Sequence, residues 1–212
     1  MEAPAGRRGN RFFDIYYLIF DFEHREAVGF TMLEAVVVLA LLAIIAGIVI
    51  ANFPALNQRI AIQRSSQELA LALRRAQSMA LAVRQVQTPG GIQVPPAFGV
   101  YVTRSDPARY LIFADLRLGG VNDRRYRAGD DVVVESLSFP PGITITDLRS
   151  DVDSANAVQD ALNVVFTVPE ATVSISNASV SVGSSGRVIL GSFALTYTRN
   201  VTARISGQIS NQ

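Results

Sequence analysis

Side chains able to do chemistry are few in this chain, and they are unevenly placed. There is no Cys among the 212 residues, which excludes disulfides, thiolate metal sites and Cys nucleophiles. The single His, His24, precedes the longest apolar run, so no catalytic scheme that needs an imidazole in a folded domain is open. Every basic residue is Arg. Two groups of oxygens could be offered to a cation. One is Asp115, Asn122, Asp123, Asp130 and Asp131; the other is Asp147, Asp151 and Asp153. Calcium needs about six to eight oxygens converging on one point, and neither group follows the spacing of an EF-hand loop. Arg124, Arg125 and Arg127 interrupt the first group, which favours local ion pairs and turns. Most of the acids stand beside Asp, Gly or Asn, where solvation and turn formation account for them. The expectation is therefore no enzyme, no metal and no cofactor.

Glu34 stands apart. It is the only charge between Phe30 and Phe53, near the head of the run Ala35–Ala51. With residues 30–33 ahead of it the apolar stretch reaches about 20 residues, enough to cross a hydrocarbon core as a helix. A carboxylate there is costly and calls for a partner. The overall net charge is only +1, so bulk electrostatics gives no case for nucleic acid or acidic substrates.

The elements that position these groups follow from periodicity. After Pro54, where a bend is expected, Ile62, Ser66, Leu69, Leu73, Ala76, Ala80 and Val83 recur at spacings of three and four and form one apolar stripe. Arg64, Gln67, Glu68, Arg74, Arg75 and Gln77 fall largely off it. This predicts a half-buried helix ending near Gln87, closed by Thr88-Pro89-Gly90-Gly91. Residues from 97 onward are rich in Val, Ile, Thr, Phe and Tyr between Gly, Pro, Asn, Asp and Ser turns. Strands are expected at 98–103, 110–114, 132–139, 143–148, 162–168, 172–176, 187–198 and 201–206, with a loop at 150–160. The predicted fold class is α+β: one long N-terminal helix, membrane-spanning in its first half and amphipathic in its second, covering one face of an antiparallel sheet. The expected organisation is a leader at 1–29, an apolar helix at 30–53, its amphipathic continuation at 54–87, and a β domain at 88–212. In the leader, Arg7, Arg8, Arg11 and Arg25 alternate with Asp14, Asp21, Glu23 and Glu26, and the aromatic patch at 12–20 is too short to span a bilayer.

Gly29-Phe30-Thr31-Met32-Leu33-Glu34, followed directly by the apolar run, resembles the processing site of type IV prepilins. The resemblance implies the type IV pilin-like fold, with cleavage by a prepilin peptidase between Gly29 and Phe30 and methylation of Phe30. It also implies that Glu34 neutralises the terminal amine of a neighbouring subunit during filament assembly. The 29-residue leader departs from the short basic leaders of that family, since only Arg25 and His24 stand near the cut. Three other readings compete: a plain signal-anchor for an envelope β domain, a secretory signal peptide cut after Ala51, and a soluble protein with a deeply buried helix.

The β region is similar to the minor pseudopilin H and FimT family. The similarity rests on Phe98–Val102, Ile112-Phe113-Ala114-Asp115, Val121-Asn122-Asp123, Asp130–Val134 and the helix segment Glu68–Ala80. It implies a structural subunit of a type IV pilus or type II secretion pseudopilus. Its partners would be other pilin or pseudopilin subunits, the prepilin peptidase, the inner-membrane assembly platform and the membrane itself. The implied location is the bacterial inner membrane as a single-pass protein, its C-terminal domain outside the cytoplasm, and then the filament. A FimT-like subunit that binds DNA or a surface is the alternative. DNA is not expected, because Gly207-Gln208-Ile209-Ser210 carries no Arg and Arg199 and Arg204 alone make too few phosphate contacts.

Overall fold

A computed structural model describes residues 29–88, 90–116, 123–151, 157–178, 182–192 and 195–212. The leader before Gly29, Pro89, Val121, Asn122 and Asp153 lie outside the described residues. The chain divides into two compact units, Met1–Ala51 and Asn52–Gln212. One helix, α1 (Met32–Leu81), supplies residues to both, and its helical assignment is unbroken at Pro54.

In the first unit the described residues are almost all helix, and nearly all are exposed. In the second, α1 buries Ile62, Ser65, Ser66, Leu69, Ala70, Ala72, Leu73, Ala76, Met79 and Ala80. These positions repeat every three to four residues, as the sequence stripe requires.

The helix stops at Leu81, short of the expected end near Gln87. The Val83 amide donates to Ala80 O and the Arg84 amide to Met79 O, both at 3.1 Å, which together close a Schellman cap. Val83 occupies the left-handed position of that cap (φ 49°), where Gly is usual. A β-branched residue there gives no sequence warning of a stop, and Val83 consequently leaves the stripe and is exposed. Val86–Thr88 (β1) then pairs with Gly91–Gln93 (β2) as a small hairpin in place of the expected helical end.

The rest of the second unit is antiparallel, and it holds two larger sheets where one was expected. The strands of the first are β3 (Ala97–Thr103), β4 (Arg109–Asp115), β5 (Val132–Ser138), β8 (Ala161–Thr167), β9 (Val173–Ser176) and β10 (Val182–Gly183), in the order β10-β9-β8-β3-β4-β5. The second contains β6 (Ile143–Ser150), β7 (Ala157–Val158), β11 (Ser185–Ser192), β12 (Leu195–Arg204) and β13 (Ile209–Asn211), in the order β13-β12-β11-β6-β7. The short β7 falls within the expected loop at 150–160.

The buried face of α1 meets both sheets in one core. Leu69 and Leu73 of α1, Val100, Val102, Leu162 and Val164 of the first sheet, and Val188 and Val201 of the second line a common seam. Each fully buried Leu, Ile or Val there contributes roughly 1.5–3 kcal/mol. Gly186 lets the sheets approach: a Cβ on it would lie 2.9 Å from Leu162 Cδ2 and 3.1 Å from Ile175 Cγ2. Two polar links hold the helix in register. Ser192 Oγ of β11 donates to Gln58 Oε1 at 3.0 Å, and Arg75 pairs with Glu135 of β5 at 2.6 Å.

Candidate functional site

The head of α1 is built by a short polar cap on an apolar helix. Thr31 is its N-cap: its Oγ1 accepts from the Glu34 amide at 3.2 Å, and its carbonyl accepts from the Ala35 amide at 3.1 Å. Thr31-Met32-Leu33-Glu34 therefore has the spacing of a capping box, with Glu34 in the first turn where the helix dipole favours an acid. The sequence reading singled out Glu34 and missed this local role of Thr31, although the T-x-x-E spacing carries the signal.

Gly29 and Phe30 precede the cap in non-helical backbone, and both are exposed. A Cβ on Gly29 would meet no atom within 4 Å, so packing gives no reason for Gly there. The peptide bond between the two residues is accessible. The three sequence-predicted site residues, Gly29, Phe30 and Glu34, thus lie within six consecutive positions at the same exposed head.

Behind this head, α1 is long and apolar enough to cross a membrane. Its most apolar 18-residue stretch has a mean hydropathy of 3.0, and none of it is buried. The core helix of a soluble protein would be mostly covered. A helix apolar on every side and open on every side has the character of a membrane anchor or signal sequence.

The acidic groups are arranged differently from a cation site. Asp131 accepts from the Leu116 amide at 2.9 Å and from the Arg127 amide at 2.7 Å. Asp123 pairs with Arg125 at 2.7 Å and with Arg127 at 2.6 Å. Asp147 pairs with Arg149 at 2.8 Å, and Asp151 accepts from the Ser185 amide at 2.7 Å and from the Ser184 hydroxyl. Asp130 is exposed. Among the described residues no group of three or more Asp, Glu or His is placed to hold a metal ion.

Asp115 is the exception in this set: it is fully buried, and among the described residues its carboxylate oxygens make no hydrogen bond of good geometry, the Arg124 backbone amide being the donor nearby. Alternation along β4 turns Tyr110, Ile112 and Ala114 toward the main core and Phe113 and Asp115 toward the opposite face. Tyr126 lies over part of that face. Tyr126 packs on Tyr101 and Phe113 at centroid distances of 4.9 and 5.3 Å, and its amide donates to Asn163 Oδ1 at 2.9 Å. Gly99 makes room for this layer: a Cβ there would lie 2.7 Å from the Phe113 ring. Burial pushes the Asp115 pKa up to about 7; the charges of Asp131 and Asp123 add to the rise, and Arg124 opposes it.

The folded state holds the Asp115 proton more tightly than the unfolded chain, whose carboxyl titrates near 3.8, so this group's contribution falls as pH rises from about 4 to about 7. The slope is at most about 1.4 kcal/mol per pH unit. Asp115→Asn is expected to match the parent near the lower limit and to be the more stable protein above the upper one. Denaturant unfolding across that range measures it, and identical pH profiles for the two proteins would contradict it.

No family model matches the chain, and comparison with curated proteins and with solved structures gave no match.

Proposed function

We propose that the chain is a type IV pilin-like structural subunit, a minor pilin or pseudopilin, released from its leader by cleavage between Gly29 and Phe30 and assembled through the first half of α1. The observation that carries this reading is the exposed apolar half of α1, with Glu34 as its one charge, directly behind an accessible Gly-Phe bond. Such a surface is stable only in lipid or against other apolar helices, and a filament subunit uses both in turn. Before assembly the segment would anchor the subunit in the inner membrane; in the filament it would pack among its neighbours. In that dry bundle the Glu34 carboxylate would meet the terminal amine of an adjacent subunit and fix the axial register. The resemblance of the β region to the minor pseudopilin H and FimT family supports reading the subunit as a minor component of a pilus or secretion pseudopilus. The β domain then has no chemistry to perform; it is carried by the helix and presents its surface to partner subunits.

A photo-crosslinking amino acid at Ile44, which is exposed, tests this. In cells with the assembly machinery it is expected to yield adducts with pilin-type subunits, and in cells without it adducts with lipid alone. Lipid adducts in both would leave a signal-anchor as the better reading.

A further inference from the structure

Two guanidinium groups in the second unit share one aromatic ring. Arg59 Cζ lies 6.0 Å from the Tyr197 ring centroid and Arg199 Cζ lies 5.3 Å from it. Neither Arg pairs with a carboxylate among the described residues. Arg199 Nε is buried and has no acceptor. Stacking on Tyr is worth only about 0.5–1 kcal/mol for an exposed cation, so it does not replace a charged partner. The pair is held from both sides: Arg59 follows Gln58, which is bonded to Ser192, and Arg199 sits in β12 opposite Leu190 of β11. The neighbouring groove of about 500 Å³ continues the same chemistry. It is lined by the donors Gln63, Ser66, Gln67, Arg74, Arg199 and Asn211 together with two apolar residues of α1, and by no carboxylate.

We infer that Arg59, Tyr197 and Arg199 form a phosphate-recognising site that takes the headgroup of an anionic phospholipid. A phosphate offers these donors an acceptor, including the one that Arg199 Nε lacks, and Arg forks suit phosphate geometry. The lipid source follows from the sequence. Arg59 lies eight positions after Ala51, the last of the apolar run, a distance the chain spans in at most about 28 Å. Tyr and Arg gather at bilayer surfaces, and anionic lipid attracts each surface Arg by about 1 kcal/mol. The site would hold the β domain at the membrane before assembly. It rests on the proposed membrane anchorage through residues 30–53.

The test uses the full chain reconstituted into nanodiscs of phosphatidylcholine, with and without phosphatidylglycerol. Co-migration with the discs reads insertion, and amide exchange over residues 195–204 reads the site. Insertion into both discs is expected, with exchange about tenfold slower when phosphatidylglycerol is present. The Arg59→Ala/Arg199→Ala variant should insert equally and lose the lipid dependence. Arg59→Ala alone, at an exposed helical position, should lose most of it even if the double variant folds poorly. Equal exchange in the two discs overturns the inference while leaving the anchor intact. Failure to insert into either disc overturns the anchorage itself. Inorganic phosphate or a short DNA oligonucleotide that slows exchange as much in phosphatidylcholine discs would overturn the lipid assignment.

Discussion

Glu34→Val is expected to cut incorporation of the chain into filaments by at least about a hundredfold, with membrane insertion unchanged. On the proposed reading the carboxylate is paired with a terminal amine in a bundle that holds little water. Removing one partner of such a pair leaves the other charge buried alone, at a cost of about 3–5 kcal/mol. The local role of the residue is much smaller. As an acid in the first turn of α1 it stabilises the helix by about 1 kcal/mol or less. Thr31→Ala separates the two contributions, because it removes the hydrogen bond to the Glu34 amide and keeps the carboxylate. That variant should assemble at close to parental levels. Equal loss in the two variants, measured by the share of chain recovered in sheared filaments, would reduce Glu34 to a capping residue.

Gly29→Val should leave the precursor uncut, with cleavage reduced about tenfold or more. A Cβ at Gly29 meets nothing within 4 Å, so the substitution has no packing consequence in the described structure. Its effect would fall on recognition by a peptidase that accepts Gly at the cut. Gly29→Ala, with the smallest side chain, should be intermediate. Both are read by the mobility of the membrane-bound protein in cells that carry the peptidase. Normal cutting of the Val variant would remove Gly29 from the site.

Elements governed by one strong local pattern were legible in the sequence. The apolar run, the stripe on the second half of α1 and most strands fall where periodicity puts them, as with 98–103 against β3 and 110–114 against β4. Misreadings arose where a residue acts against its type. Val83 takes the left-handed cap position that Gly normally fills, so the end of α1 was placed too late. Asn200 was read as a turn between strands 187–198 and 201–206. It lies within β12, where its amide donates to Gln212 O at 2.8 Å and its carbonyl accepts from the Gln212 amide at 2.9 Å. The division into two sheets is set by long-range register, which no local pattern encodes.

The candidate site divides the same way. Gly29, Phe30 and Glu34 are contiguous, and a short motif suffices to find them. Asp115 reads as one of a loop's acids; its burial depends on packing over the second face of the sheet, to which Tyr126 contributes and which no local pattern encodes. Arg59 and Arg199 are 140 positions apart in the sequence, and only the pairing of α1 with β12 around Tyr197 brings them to one ring.

The central claim is processing followed by assembly, and the N-terminus of the membrane-purified protein reports it most directly. Intact mass and N-terminal peptide mapping should be made on protein from cells carrying a prepilin peptidase. The account predicts a mature chain that begins at a methylated Phe30. A chain beginning at Asn52 would indicate a secreted β protein, and one still beginning at Met1 beside an active peptidase would indicate a plain signal-anchor; either result would contradict the filament role.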